Sequence, residues 1–106
     1  MSFFDIFKSI NINRGIEEFS LLPDAVLLDV RTAEEYNDGH IPRSINLPLH
    51  NIDRVEDLIQ NKNTPIFVYC RSGARSARAV EELKGLGFLD ARDIGGISSY
   101  KGKLEY

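Results

Sequence analysis

The chain has 106 residues, 42% hydrophobic and 27% charged, with a formal net charge of −3 and a single cysteine. That is enough for one domain with its own core and too apolar for disorder, and the acidic balance argues against nucleic acid as the main partner. One cysteine excludes an internal disulfide and a Cys-rich zinc site, no stretch approaches the ~18 apolar residues of a membrane span, and the start, with Asp5 and no long apolar run, does not read as a secretory signal, so a cytoplasmic protein is expected.

Residues 1–8 read as an N-terminal segment, a loosely docked helix whose Phe3, Phe4, Ile6 and Phe7 pack on the body or on a partner; residues 9–106 form the domain. Ile10-Asn11-Ile12 fits a short edge strand, and Asn13 caps a helix through Ile16 and Phe19 that Pro23-Asp24 ends. Ala25 to Val30 is a continuous apolar run with Asp29 near its end, which suits a strand covered on both faces. Thr32 caps a short helix with Glu35 at the capping-box position, and Gly39 closes it. Pro42 and Pro48 hold extended backbone on either side of a strand at Ser44 to Leu47. Ile52, Val55, Leu58 and Ile59 have helical spacing over 51–60. Pro65 leads into a strand that ends at Cys70; a helix then runs from about Ser76 to Gly85, Ala91 to Ile94 is a last strand, and Gly95-Gly96 a turn. Strand and helix alternate, which predicts an α/β fold with a central, mostly parallel, five-stranded sheet and helices on both faces. Ligands of such sheets bind beyond the carboxyl ends of the strands, where Asp29 and Cys70 lie.

Cys70 therefore sits between a buried strand and a helix N-terminus. Backbone N–H groups, the helix dipole and the charges of Arg71 and Arg75 all favour its thiolate. Gly73 allows a loop turn with positive φ, and Ser72 and Ser76 supply hydroxyls for the loop or for an anion. A cysteine that merely filled the core would need none of these neighbours. Two chemistries suit the cradle: attack on phosphorus, or attack on a sulfane sulfur to give a cysteine persulfide. Cysteine-dependent phosphatases place an arginine after Cys and five further residues, but Ser76 occupies that position here and the arginine is Arg75. The tighter loop favours sulfur.

These segments together resemble the single-domain rhodanese, or thiosulfate sulfurtransferase, family over roughly residues 8–106. Leu27-Leu28-Asp29-Val30-Arg31 with Glu34-Glu35-Tyr36, the run from Gly39 to Pro48, Val68 to Ser76, and Gly95-Gly96-Ile97 match the family's signatures in order. The resemblance implies that Cys70 is the persulfide-forming nucleophile and that Arg71, Ser72, Gly73, Ala74 and Arg75 complete a six-residue loop around it. Asp29, Arg31 and Ser76 would support the loop, with Asp29 in a salt bridge to Arg75, and Arg71 would point outward toward an anionic donor. The family's tryptophan after Gly-Gly is replaced by Tyr100, which can fill the same packing role.

The reaction implied takes a sulfane sulfur from a small anionic donor, thiosulfate or a persulfide, and passes it to cyanide or a thiol, including a protein thiol. No metal, organic cofactor, nucleic acid or membrane is implied, and a monomer or weak homodimer is expected. His40 reads as a hydrogen-bonded turn residue, His50 as surface, and Glu34-Glu35 as a solvated helix face. The rival readings are a phosphatase or arsenate reductase on the same scaffold, and a non-catalytic persulfide carrier or sensing module.

Overall fold

The computed structural model describes residues 10–106; the reading of residues 1–8 as a docked helix lies outside them. Four strands form one sheet in the order β2-β1-β3-β4, with β1 Val26–Asp29, β2 Ser44–Asn46, β3 Ile66–Cys70 and β4 Ala91–Gly96, every pair parallel. No helix among the described residues is long and apolar enough to cross a membrane.

The continuous apolar runs of β1 and β3 are explained by cover on both faces. Side chains alternate across a strand. Leu27, Phe67 and Tyr69 enter one cluster with Ile12, Phe19, Ile41 and Ile94. Leu28, Val30, Ile66, Val68 and Cys70 enter the other with Ile52, Val55, Ala79, Leu83 and Phe88. The first cluster is roofed by α1, Ile12–Ser20. The second is roofed by α4, Ala74–Gly85, and by a 3-10 turn, Leu49–Arg54, that runs into the short α3, Val55–Leu58. The single helix expected over 51–60 is thus broken: Asn51 leaves helical geometry, yet Ile52, Val55 and Ile59 still face the core.

The fifth strand is absent among the described residues, which corrects the expected five-stranded sheet. Ile10-Asn11-Ile12 is not an edge strand. Asn11, not Asn13, is the N-cap: its side chain accepts from Asn13 N–H at 2.9 Å, and the helix begins at Ile12. The alternation that mimicked a strand is the first turn of a helical stripe of Ile12, Gly15 and Phe19. Gly15 is required because a Cβ there would overlap Ile94 on β4. The Asn13 side chain instead donates to Ser99 O and accepts from Lys101 N–H, tying the end of the chain to α1, and Tyr100 packs against the same cluster.

The expected capping box is formed. In α2, Ala33–Asn37, Thr32 Oγ1 accepts from Glu35 N–H at 3.2 Å and Glu35 Oε1 accepts from Thr32 N–H at 3.1 Å. A register shift in the β3–β4 pairing puts Asp93 opposite Val68 but Gly95 opposite Tyr69 and Gly96 opposite Cys70. That irregularity brings the two glycines beside the end of β3.

Candidate active site

Cys70 is the last residue of β3 and is 1% exposed. The chain turns through Arg71, Ser72 and Gly73 and enters α4 at Ala74, two residues earlier than the sequence suggests. Gly73 has φ 109°, a value that glycine adopts without strain, and its N–H donates to Cys70 Sγ at 3.0 Å. Ser76 Oγ lies 3.5 Å from the same sulfur. Burial pushes the Cys70 thiol up, while hydrogen bonds from the backbone N–H groups of Ser76, Gly73 and Ser72 pull it down, and the thiol titrates below its ordinary value.

The backbone of the loop rests on Gly96. A Cβ at Gly96 would overlap Arg71 O and stand 2.7 Å from Ser72 Cα, so only glycine lets β4 approach this closely. Ser98 N–H donates to Arg71 O at 3.2 Å and holds the loop from the same side. Arg71 itself is exposed.

Arg75 does not pair with Asp29, which corrects the salt bridge expected from the sequence. Its guanidinium grips Glu35 through two bonds of 2.7 and 3.0 Å, joining α4 to α2. Glu35 is therefore not a freely solvated side chain. Asp29 pairs with Arg31, two residues on, at 2.7 Å, and both are buried. Arg31 also donates to Gly39 O, while the Asn46 side chain donates to the carbonyls of Asp29 and Arg31. This group fixes the exit of β1 and the approach to β2. No side-chain hydrogen bond joins Asp29 or Arg31 to residues 70–76 among the described residues. The local reason is reach: an arginine two positions past a strand-end aspartate can fold back on it, and Arg75 already has Glu35.

The Arg75 bond holds the Glu35 carboxyl down at about 2, from an ordinary 4.5. A depressed carboxyl contributes stability above its unfolded value and loses it as pH falls toward the folded one. Taken whole, such a shift corresponds to about 3 kcal/mol; with 34% of the Arg75 side chain exposed, solvent screening reduces it to about 1 kcal/mol. Glu35→Gln is expected to cost about that much at pH 7, and the gap to the parent should shrink as pH falls from about 4.5 toward 2. Urea titrations of both proteins across that range check it; a gap independent of pH would mean the pair contributes no ionic stability.

Sequence reasoning missed two residues here. Glu35 was visible as a capping residue but not as the partner of Arg75, because the contact joins positions 40 apart. Asp93 accepts from Ser76 Oγ at 2.7 Å and from Gly95 N–H at 2.9 Å on the same Oδ1 atom. The only signal was an acid on the last strand two residues before Gly95-Gly96. His40 forms an isolated backbone bridge with Glu105, stacks on Tyr36 with ring centroids 3.7 Å apart, and has Nδ1 2.9 Å from Tyr36 O.

Two depressions adjoin residues 72–75. One, about 590 Å³, is lined by Val30, Thr32, Leu49, Ile52, Arg75 and Arg78. The other, about 690 Å³, includes Asn13, Ser72, Gly73, Asp93, Gly96 and Lys101. Among the described residues no group of three His, Cys, Asp or Glu side chains could hold a metal ion.

The rhodanese-like domain family model matches residues 10–103. The thiosulfate sulfurtransferase PspE of Escherichia coli is 34% identical over 71 residues, 66% of this chain and 68% of that protein. The adenylyltransferase and sulfurtransferase uba4 of Ogataea parapolymorpha is 36% identical over 92 residues, 86% of this chain but 24% of that protein. Of the putative sulfur carrier protein YrkF of Bacillus subtilis, 35% identical over 80 residues, the chain spans 43%. Among solved structures, a rhodanese with anions from E. coli superposes with a TM-score of 0.72 at 29% identity, over 76% of this chain and 96% of that one. A rhodanese-like domain protein from Staphylococcus aureus gives 0.73 at 31% identity, over 91% and 94%.

Proposed function

The chain belongs to the rhodanese-like domain family, and from that premise we propose that it is a sulfurtransferase working through a persulfide on Cys70. The observation that carries this reading is the short loop that directs backbone N–H groups, led by Gly73 at 3.0 Å, onto a buried thiol at a strand end. In the first half-reaction the Cys70 thiolate attacks the outer sulfur of thiosulfate. A bond forms between Sγ and that sulfur, the sulfur–sulfur bond of thiosulfate breaks, and sulfite leaves with the electron pair. The N–H groups of the loop then hold the terminal sulfur anion, at little reorganisation cost because they are already in place. In the second half-reaction cyanide or a thiolate attacks the terminal sulfur and Cys70 leaves as thiolate. Arg71, exposed beside the loop, raises the local concentration of an anionic donor.

Residues 71–75 act as the cradle, with Ser76 at its base; Asp29 and Arg31 act at one remove, by fixing the strand end next to Tyr69. The Arg75–Glu35 pair bears on the phosphatase reading. A loop that grips phosphate needs an arginine free to fork onto its oxygens; Arg75 is occupied by Glu35 and Ser76 takes the next position. The persulfide-carrier reading is favoured by the likeness to YrkF; it shares the loading step and differs in lacking turnover with small acceptors.

Intact-protein mass spectrometry after incubation with thiosulfate, without reductant, tests the proposal. A gain of one sulfur that cyanide removes is expected. Failure to load from both thiosulfate and polysulfide, with the thiol still titratable, would overturn it. A loaded sulfur that cyanide leaves in place would identify the carrier.

A further inference from the structure

We propose that Asp93 is a positioning residue that sets the reactivity of Cys70 by holding the hydroxyl proton of Ser76 away from the sulfur. The inference rests on the reading of Cys70 as the nucleophile and adds a residue whose side chain does not touch it.

Ser76 is 0% exposed, and its Oγ has four neighbours: Asp93 Oδ1 at 2.7 Å, Gly73 O at 3.0 Å, Gly95 O at 3.5 Å and Cys70 Sγ at 3.5 Å. A serine hydroxyl has one proton to give. The Asp93 carboxylate is both the nearest acceptor and the charged side chain among them, and charge-assisted bonds are the stronger ones. Gly95 N–H donates to the same carboxylate oxygen at 2.9 Å and keeps it aimed at Ser76. The Ser76 proton is therefore committed to Asp93, and Ser76 turns a lone pair toward Cys70. In that arrangement Ser76 accepts from the neutral thiol and has nothing to donate to a thiolate.

The consequence for sulfur transfer follows from where charge sits. A free thiolate carries its charge on Sγ, against the Ser76 lone pair and one hydrogen bond from Asp93. A persulfide leaves Sγ uncharged and carries the anion one atom farther out, among the loop N–H groups. Asp93 thus disfavours the empty thiolate more than the loaded persulfide. The other charged groups around Cys70 are Arg71 and Arg75, the latter neutralised by Glu35, and Asp29, neutralised by Arg31. Across the neighbouring cleft, the 3-10 turn contributes His50 and Asp53, and α4 contributes Arg78 and Glu82. None of these groups hydrogen-bonds Ser76, nor does Lys101, which lines the depression that Asp93 shares with Ser72 and Gly73.

The test is a pH titration of the ultraviolet thiolate absorbance, with Cys70→Ser as the blank. No sulfur donor is present, so its outcome is separate from whether thiosulfate loads the protein. Asp93→Asn keeps the shape, and Gly95 N–H retains the amide oxygen opposite Ser76 while the charge is gone. The Cys70 half-point is expected to fall by about half a unit to one unit. In a Ser76→Ala background the same substitution should move it by less than half as much, the coupling expected of residues that act through one another. No shift, an upward shift, or an equal shift in both backgrounds would overturn the proposal. Thermal transitions of the variants establish that each is folded.

Discussion

Cys70→Ser is expected to leave a folded protein that neither gains sulfur from thiosulfate nor turns over with cyanide, a loss of at least about 10⁴-fold. Serine is close in size, and the loop offers its hydroxyl ready partners: Gly73 N–H, which now donates to Sγ at 3.0 Å, and the Ser76 hydroxyl at 3.5 Å. Replacing a well-packed thiol at 1% exposure by a satisfied hydroxyl should cost on the order of 1 kcal/mol, small beside the stability of an ordinary domain. The chemistry is lost because a serine hydroxyl, unlike a thiol, stays protonated in this cradle. Among the described residues no histidine or carboxylate hydrogen-bonds the side chain at position 70 to serve as its base. Mass spectrometry with thiosulfate and a thiocyanate assay measure both halves. A serine variant that keeps turnover would remove Cys70 from the mechanism, and with it the whole reading of the loop.

Gly96→Ala carries the second large effect, without touching a reacting group. The added methyl would overlap Arg71 O and come to 2.7 Å from Ser72 Cα; both are backbone, so the loop or β4 must move. Overpacking of this kind costs about 1–3 kcal/mol. Displacing the loop N–H groups by even about 1 Å should lower the loading rate about 100-fold. Gly85→Ala is the matched control. Nothing lies within 4 Å of a Cβ at Gly85, and alanine suits a helix end, so stability should hold or rise slightly and loading should not change. Single-turnover loading rates and urea midpoints for the two variants decide the matter. Equal loading rates would show that the loop does not depend on its contact with Gly96.

Much of this protein is fixed locally and was readable in one dimension. The apolar runs of β1 and β3, the Thr32–Glu35 capping box, the thiol at a strand-to-helix seam and the Gly95-Gly96 pair all follow from a few adjacent residues. Local patterns identify buried strands, caps and turns wherever neighbours in sequence are also neighbours in space. The ambiguity at Ile10-Asn11-Ile12 was local too: three residues do not separate a period of 2 from the start of a helical stripe, and only the packing of Ile12, Gly15 and Phe19 against the sheet resolves it.

What the tertiary structure alone decided is the pairing of charges and protons around the thiol. The sequence pointed Arg75 to Asp29 and placed Glu35 only as a capping residue on a solvated helix face. The position of α2 beside α4 gave Arg75 to Glu35, and the reach of Arg31 gave it Asp29. Asp93 came to Ser76 because β4 pairs with β3 so that Asp93 stands opposite Val68, whose side chain enters the cluster that α4 covers. Backbone conformation depends mainly on near neighbours. Hydrogen-bond and ion-pair partners depend on distances of an ångström or less between distant segments, and those exist only once the sheet has formed.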